Sequence, residues 1–217
     1  VAKGEFSLAA SDVTSPDWTF TITPAALTAS GSGTASGTFG GSLGSLSVSG
    51  LKAMLGTDEI SGRWTLSGGD IPNVGDTGKY MAEFTADVHP EYYKPLTAKV
   101  TLDIAKAQAP AMADTTLSCY WGASGEKSVS LAGLPENTGE IYPATIAVSD
   151  VNGILAVDSA RYSDGKLYFT LGENTEESIG NTAEITVTLP TQNYTDFTFR
   201  ITVTLAAKGD QQAPLQS

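Results

Sequence analysis

Tyr93-Lys94-Pro95-Leu96-Thr97-Ala98-Lys99-Val100-Thr101-Leu102-Asp103-Ile104 returns about a hundred residues later as Tyr194-Thr195-Asp196-Phe197-Thr198-Phe199-Arg200-Ile201-Thr202-Val203-Thr204-Leu205. Both copies are apolar three, seven, nine and eleven residues after the tyrosine, with a basic residue at the sixth. From Val100 and from Ile201 onward every second residue is apolar, and most of those between are threonine. That is the period of a half-buried β-strand. Such a strand cannot bury its apolar face alone, so each copy demands a domain around it. Only one register hides the apolar set, so Val100, Leu102, Ile104 and Ile201, Val203, Leu205 are expected inward. Tyr93 and Tyr194 are expected at equivalent positions, each hydroxyl bonded to nearby backbone as in the tyrosine corner of sandwich folds.

Working outward, the length of 217 residues suits two small domains, at residues 23–107 and 108–208. Residues 1–22 hold one strand pattern, Trp18, Phe20 and Ile22. It reads as the end of a preceding module or as an added strand of the first domain. Residues 209–217 read as an exit linker, matching the stretch Ala105–Pro110 after the first copy. The sequence begins with valine and is expected to be part of something longer.

In the first domain Ala29–Gly41 is so rich in glycine, serine and threonine that it reads as a loop or a weak edge hairpin. Strand patterns follow at Gly44–Val48, Ala53–Leu55, Ile60–Leu66, Lys79–Ala86 and Pro95–Ile104. The second domain shows seven: Thr115–Trp121, Lys127–Leu131, Thr145–Ser149, Ala156–Tyr162, Lys166–Leu171, Ala183–Leu189 and Phe197–Leu205. Asp164-Gly165 between alternating runs is a two-residue hairpin signal. Seven short strands with regular turns define a β-sandwich. The fold class is all-β, with two tandem immunoglobulin-like β-sandwich domains.

Composition narrows the function classes. A net charge of −12 and a pI near 4.3 argue against nucleic acid, which needs a basic face. They also argue against an anionic membrane surface, and no apolar run is long enough to span a bilayer. One cysteine, Cys119, allows no internal disulfide and lies in a strand pattern. One histidine, His89, excludes a histidine-rich zinc site. No set of residues that could act together as nucleophile, base and charge stabiliser is identified. Asp150-Val151-Asn152-Gly153 opens like a calcium loop, but Ile154 stands where the next oxygen ligand belongs, so it reads as a turn. Glu173, Glu176 and Glu177 read as a solvated loop, and Trp64 and Trp121 as core. No cofactor or metal is expected, and no catalytic residue is assigned.

Several segments resemble the immunoglobulin-like repeats of large surface proteins from gut Gram-positive bacteria. In the first domain they are Ile22–Leu27, Gly62–Leu66, Tyr80–Thr85 and Tyr93–Thr97 with its strand; in the second, Thr145–Leu155 and Asn193–Phe197 with its strand. The resemblance implies a non-catalytic module, extracellular or at the cell wall, acting as adhesin, stalk or spacer and monomeric. Its partner would be a protein or glycan surface ligand. The alternative is a carbohydrate-binding accessory segment of a larger extracellular hydrolase. Phe197–Leu205 contains no asparagine for an intramolecular lysine–asparagine bond. Contact is expected on loops at the sandwich ends, which vary without disturbing a core. The candidates are Asp76 in Val74–Gly78, Asp87, Glu91 and Tyr92 in Asp87–Lys94, and Glu176 in Gly172–Gly180.

Overall fold

The structure, a computed structural model, describes residues 23–208. The strand pattern at Trp18–Ile22 and the stretch 209–217 lie outside the described residues. The protein divides into two compact units between Ala105 and Lys106.

The first unit contains β1 (Thr28–Thr38), β2 (Ser47–Leu55), β3 (Asp58–Ile60), β4 (Gly62–Thr65), β5 (Tyr80–Ala86) and β6 (Leu96–Ala105), in one sheet of order β3-β2-β1-β6-β5-β4. Its two edge strands, β3 and β4, are separated in sequence by Ser61 alone. The sheet must therefore fold over on itself, and its two halves form the layers of a small sandwich. Ala35, Ala53, Ala82, Ala98 and Val100 line the interior and are almost fully buried. Small inward residues let the halves approach closely, as close packing requires.

β1 corrects the expectation of a loop or weak hairpin at Ala29–Gly41. It is an eleven-residue strand at the centre of the sheet, antiparallel to β2 and parallel to β6. Its lack of large side chains is a packing requirement. A Cβ on Gly33 would lie 2.6 Å from Val100 Cγ1 and 2.8 Å from Leu51 Cγ.

The second unit contains β7 (Thr115–Tyr120), β8 (Glu126–Ser130), β9 (Thr145–Ser149), β10 (Arg161–Ser163), β11 (Lys166–Thr170), β12 (Thr182–Leu189) and β13 (Phe197–Ala206). They form two sheets, β10-β11-β8 and β7-β13-β12-β9. The second, fourth and fifth strands face the third, sixth and seventh, as in an immunoglobulin-type sandwich, while the first strand, β7, pairs with the last instead of with the second. Leu167 and Phe169 from one sheet pack in a single core with Ile185, Val187, Leu189, Phe197, Ile201 and Val203 from the other. Asp164 and Gly165 both have positive φ, 50° and 74°, and close the β10–β11 hairpin. The fourth strand is shorter than its pattern suggested, because residues 150–160 run as a loop before β10.

The two units share a register. In the first, Gly33 pairs with Val100 and Thr38 with Ala105; in the second, Thr115 pairs with Ile201 and Tyr120 with Ala206. Both pairings are parallel. Upstream, Ala25 bridges Tyr93 and Ala107 bridges Tyr194, again in parallel. The backbone bonds match residue for residue: Lys94 N donates to Ala25 O at 2.8 Å, and Thr195 N to Ala107 O at 2.8 Å. So Tyr93 and Tyr194 are equivalent.

The expected inward register also holds. Val100, Ile104, Ile201, Val203 and Leu205 are buried and Leu102 is half-buried, while Thr101 and Asp103 are exposed. The stretch after Ala105 is more than a linker: Lys106 Nζ donates to Thr191 O at 2.6 Å, and Ala109 N to Thr195 Oγ1 at 2.8 Å.

The units differ in what lies between equivalent strands. β4 and β5 are joined by residues 66–79, whereas β9 and β12 are joined by residues 150–181, which carry the β10–β11 hairpin. The opposite holds at the last turn. Phe84 pairs with Leu96 across residues 85–95, and Leu189 with Phe197 across residues 190–196. The first unit's final loop is the longer by four residues.

Candidate functional site

That longer loop is the candidate site. It carries Asp87, Glu91 and Tyr92, three of the five residues singled out by sequence. Its added length accommodates an ordered turn. His89 takes the left-handed conformation (φ 49°), and Pro90–Tyr92 form one turn of 3-10 helix. Proline at the first position suits this, since its missing N–H has no role there. Tyr92 N donates to His89 O at 2.9 Å, and Tyr93 N to Pro90 O at 3.1 Å. Asp87 N donates to Ser61 O at 3.0 Å, which ties the loop's root to the β3–β4 crossing.

The side chains form a small exposed cluster. The His89 ring stacks on Tyr92 with centroids 4.6 Å apart and planes 11° from parallel. His89 Nδ1–H donates to Glu91 Oε1 at 3.0 Å. Hydrogen bonds from Glu91's own backbone and from His89 hold its carboxyl below the usual range. Val88 is 67% exposed and Tyr92 50%. A backbone in a sparsely populated conformation, bearing exposed apolar and aromatic groups, is a frequent property of contact surfaces.

Two shallow depressions flank the root of this loop. One, of about 170 Å³, lies among Phe84, Ala86, Pro90, Tyr93 and Lys94. The other, of about 290 Å³, lies among Lys52, Glu59, Gly62, Trp64 and Asp87. Both are below the roughly 300–1,000 Å³ of enclosed small-molecule sites.

In the second unit the equivalent loop is committed to structure. Thr191 and Asn193 are fully buried. Asn193 Nδ2 donates to Asn137 O at 2.9 Å, Asn193 N to Thr138 O at 3.0 Å, and Gln192 N to Glu140 O at 2.8 Å. The loop 132–144 thus covers it, whereas the first unit has the tight β2–β3 hairpin at that point in the sequence. Tyr194 OH donates to Asn137 Oδ1 at 3.0 Å, a side chain and not the backbone partner expected. Tyr93 packs at the core edge beside Leu27, and its hydroxyl makes no hydrogen bond among the described residues.

The remaining candidates stand apart. Asp76 Oδ1 accepts from Gly78 N at 2.7 Å and from Tyr80 OH at 2.9 Å, so it braces its own loop. That hydrogen bond, after desolvation, helps raise the Tyr80 phenol above its usual pKa. Asp76 precedes β5 and Asp87 follows it, so the seven-residue strand sets them about 20 Å apart. They share no site. Glu176 belongs to the second unit, in a 3-10 turn capped reciprocally by Thr175 and Ser178. Asp150 accepts from Ile154 N at 3.0 Å and Leu155 N at 2.7 Å, which is the work of a turn. Trp64 is half-buried on Phe84, and Trp121 lies under Lys208 Nζ at 4.3 Å. Sequence reasoning missed both depressions: Ser61 and Gly62 in the second carry no side-chain signal, and the first gathers residues of β5 and of Pro90–Pro95 that only the fold brings together. The unequal spacing of the two repeats around the last turn was the signal available.

No protein-family model matches this protein, and no curated protein matches it. Among solved structures it is similar to a three-domain fragment of the titin I-band (10% identity, TM-score 0.35), covering 83% of this protein and 66% of that one, just under two thirds of its length. It is also similar to the titin domains z1z2 in complex with telethonin (12% identity, TM-score 0.35; 86% and 99% covered) and to a tandem pair of titin immunoglobulin domains (10%, 0.24; 82% and 97%). Likenesses this remote carry no argument about function, and the fold class rests on strand order and register. Among the described residues no helix is long and apolar enough to cross a membrane.

Proposed function

We propose that this protein is a non-catalytic tandem module of an extracellular or wall-displayed bacterial protein, acting as stalk, spacer or adhesive arm. The observation that carries this reading is the parallel pairing of first and last strands in both units, β1 with β6 and β7 with β13. A parallel pair runs in one direction. The backbone therefore comes into each unit at one end and leaves at the other, as a repeat that spans distance requires. Tension between those ends loads all the parallel hydrogen bonds in shear, where they resist together instead of opening one by one.

Adhesion is assigned to the Asp87–Lys94 loop, with Tyr92 and Val88 as its apolar contacts and a protein or glycan surface as its partner. The protein is proposed to act as a monomer without metal or cofactor.

Two experiments test the reading. Stretched singly from both ends, each unit should unfold in one high-force step. Unfolding at the low force of a peeling hairpin would sink the mechanical role. A glycan array and a surface-protein binding screen, each repeated with Tyr92→Ala, test adhesion. Binding that survives this substitution and removal of residues 88–92 would place the contact elsewhere. The accessory-segment reading is supported by the exposed Tyr92 ring, one face of which His89 leaves open. A glycan hit lost in Tyr92→Ala, with low mechanical resistance, would favour it.

A further inference from the structure

We propose that Asn152 is a site of spontaneous deamidation, and that its conversion loosens the second unit's core at Ile154 and Leu155. Asn152-Gly153 is the one asparagine–glycine pair in the sequence. The reaction needs three things: an exposed asparagine, a next-residue amide nitrogen free to attack, and backbone room to form a five-membered ring. All three occur here. Asn152 is exposed, at the apex of a turn whose neighbour Val151 is 94% exposed. The Gly153 N–H makes no hydrogen bond among the described residues, against the general rule that backbone donors are paired. Gly153 has φ 65°, and a Cβ placed on it would meet nothing within 4 Å. With no side chain it can turn as ring closure demands.

The other asparagines lack this combination. Asn174 Oδ1 accepts from Gly122 N while its Nδ2 donates to Gly172 O, Asn137 Oδ1 accepts from Tyr194, and Asn193 is buried. None is followed by glycine.

The chemistry balances without a co-reactant other than water. The Gly153 nitrogen, losing its proton, attacks the carboxamide carbon Cγ of Asn152. A new C–N bond forms to Gly153 and the bond from Cγ to Nδ2 breaks, releasing ammonia and leaving a succinimide. Water then adds to either ring carbonyl, giving aspartate or isoaspartate.

Either product acts on the same anchor. Ile154 N and Leu155 N donate to the two carboxylate oxygens of Asp150 at 3.0 and 2.7 Å. From there the backbone is fixed, with Gly172 N on Ile154 O at 2.9 Å and Leu155 bridging Leu171. Ile154 is 1% exposed and Leu155 7%, both in the core. Isoaspartate inserts a methylene into the backbone between Asp150 and Ile154. Aspartate adds a negative charge beside Asp150.

The test is to age the 217-residue protein in mildly alkaline buffer beside a synthetic peptide of residues 149–156. Mass spectrometry with fragmentation reads the exchange of NH2 for OH at each asparagine, released ammonia is counted, and an isoaspartyl methyltransferase reports isoaspartate. Asn152 should convert before any other asparagine, within a few-fold of the peptide's rate, and Asn152→Gln should abolish ammonia release at this site. A folded protein that stays intact while the peptide converts, or another asparagine converting first, would overturn the site. The aged protein's second unit should melt lower, and aged Asn152→Gln should not. An unchanged midpoint after full conversion would overturn the claimed effect on the core.

Discussion

Tyr194 donates its hydroxyl proton to Asn137 Oδ1 at 3.0 Å, and so fastens the last strand's approach to the loop after β8. The bond joins two side chains near solvent. Tyr194→Phe is therefore expected to cost only about 0.5–1.5 kcal/mol. Asn193→Ala should cost more, about 1–3 kcal/mol, because Asn193 is fully buried and its loss strands the Asn137 carbonyl. Tyr93→Phe should be near neutral. Urea unfolding followed by amide exchange in each unit checks the order, and a Tyr93→Phe cost above that of Tyr194→Phe would contradict it.

Burial ranks the core substitutions. Ile201 is fully buried on β13 opposite Ile185, and its truncation to alanine should cost about 2–5 kcal/mol. Leu102→Ala in the first unit should cost clearly less, since that side chain is only half-buried at the equivalent strand's middle. Denaturant midpoints at unchanged m-value measure both. Equal costs would mean that the first unit's core is tighter than its burial indicates.

Gly33 tests how closely β1 packs against its neighbours β2 and β6. A methyl there meets Val100 and Leu51 below contact distance, so Gly33→Ala should destabilise by roughly 1–3 kcal/mol. A paired Val100→Ala should recover part of that loss by making room. If Gly33→Ala instead stabilised the unit, as glycine removal from an unstrained strand can, the packing described for β1 would be wrong.

The same glycine explains what the sequence concealed. Alternation made β6 and β13 legible, because each faces a partner sheet and needs large apolar side chains on alternate positions. β1 needs the reverse. Gly33, Ala35 and Gly37 alternate as faithfully as Ile201 and Val203, but in small residues, and smallness reads as loop. The Asp164-Gly165 turn was legible because positive φ at two successive residues restricts composition strongly. Asp76 and Asp87 looked alike in sequence as acidic loop residues. What separates them is β5, whose length sets them at opposite ends of a strand, and no local pattern carries that. Glu91 and Tyr92 were found as exposed loop residues, but their ordering by His89 depends on one left-handed backbone position that composition does not announce.

Cys119 predicts an alkaline limb. Burial penalises the thiolate and raises the thiol above its usual pKa, with Lys127 opposing more weakly. The folded state thus holds this proton more tightly than the unfolded state does. The contribution to stability is fully present below the ordinary thiol range and is lost as pH rises through the raised value. The second unit's melting midpoint should fall with alkalinity more steeply in the parent protein than in Cys119→Val. Thiol-reactive dye should label Cys119 only after unfolding. Coincident pH profiles for the parent and Cys119→Val would refute the assignment.

Glu91 predicts the opposite sign at the other end of the scale. Its carboxyl is held below the usual range first by a hydrogen bond from its own backbone and then by His89. A depressed folded-state value means that the contribution to stability is present above the ordinary carboxylate range, and is lost as pH falls through the lowered one. The pair is well exposed, so its effect on the first unit's stability should be small and screened by salt. The sensitive readout is local. In a carbon-detected titration the Glu91 carboxyl should titrate below free glutamate, and His89→Ala should move it only part of the way back, because the larger cause remains. The same substitution removes the ring stacked on Tyr92, so the Tyr92 ring resonances should shift with it. A full return of Glu91 to the ordinary value in His89→Ala would assign the whole effect to the histidine and remove the backbone's part in ordering the loop.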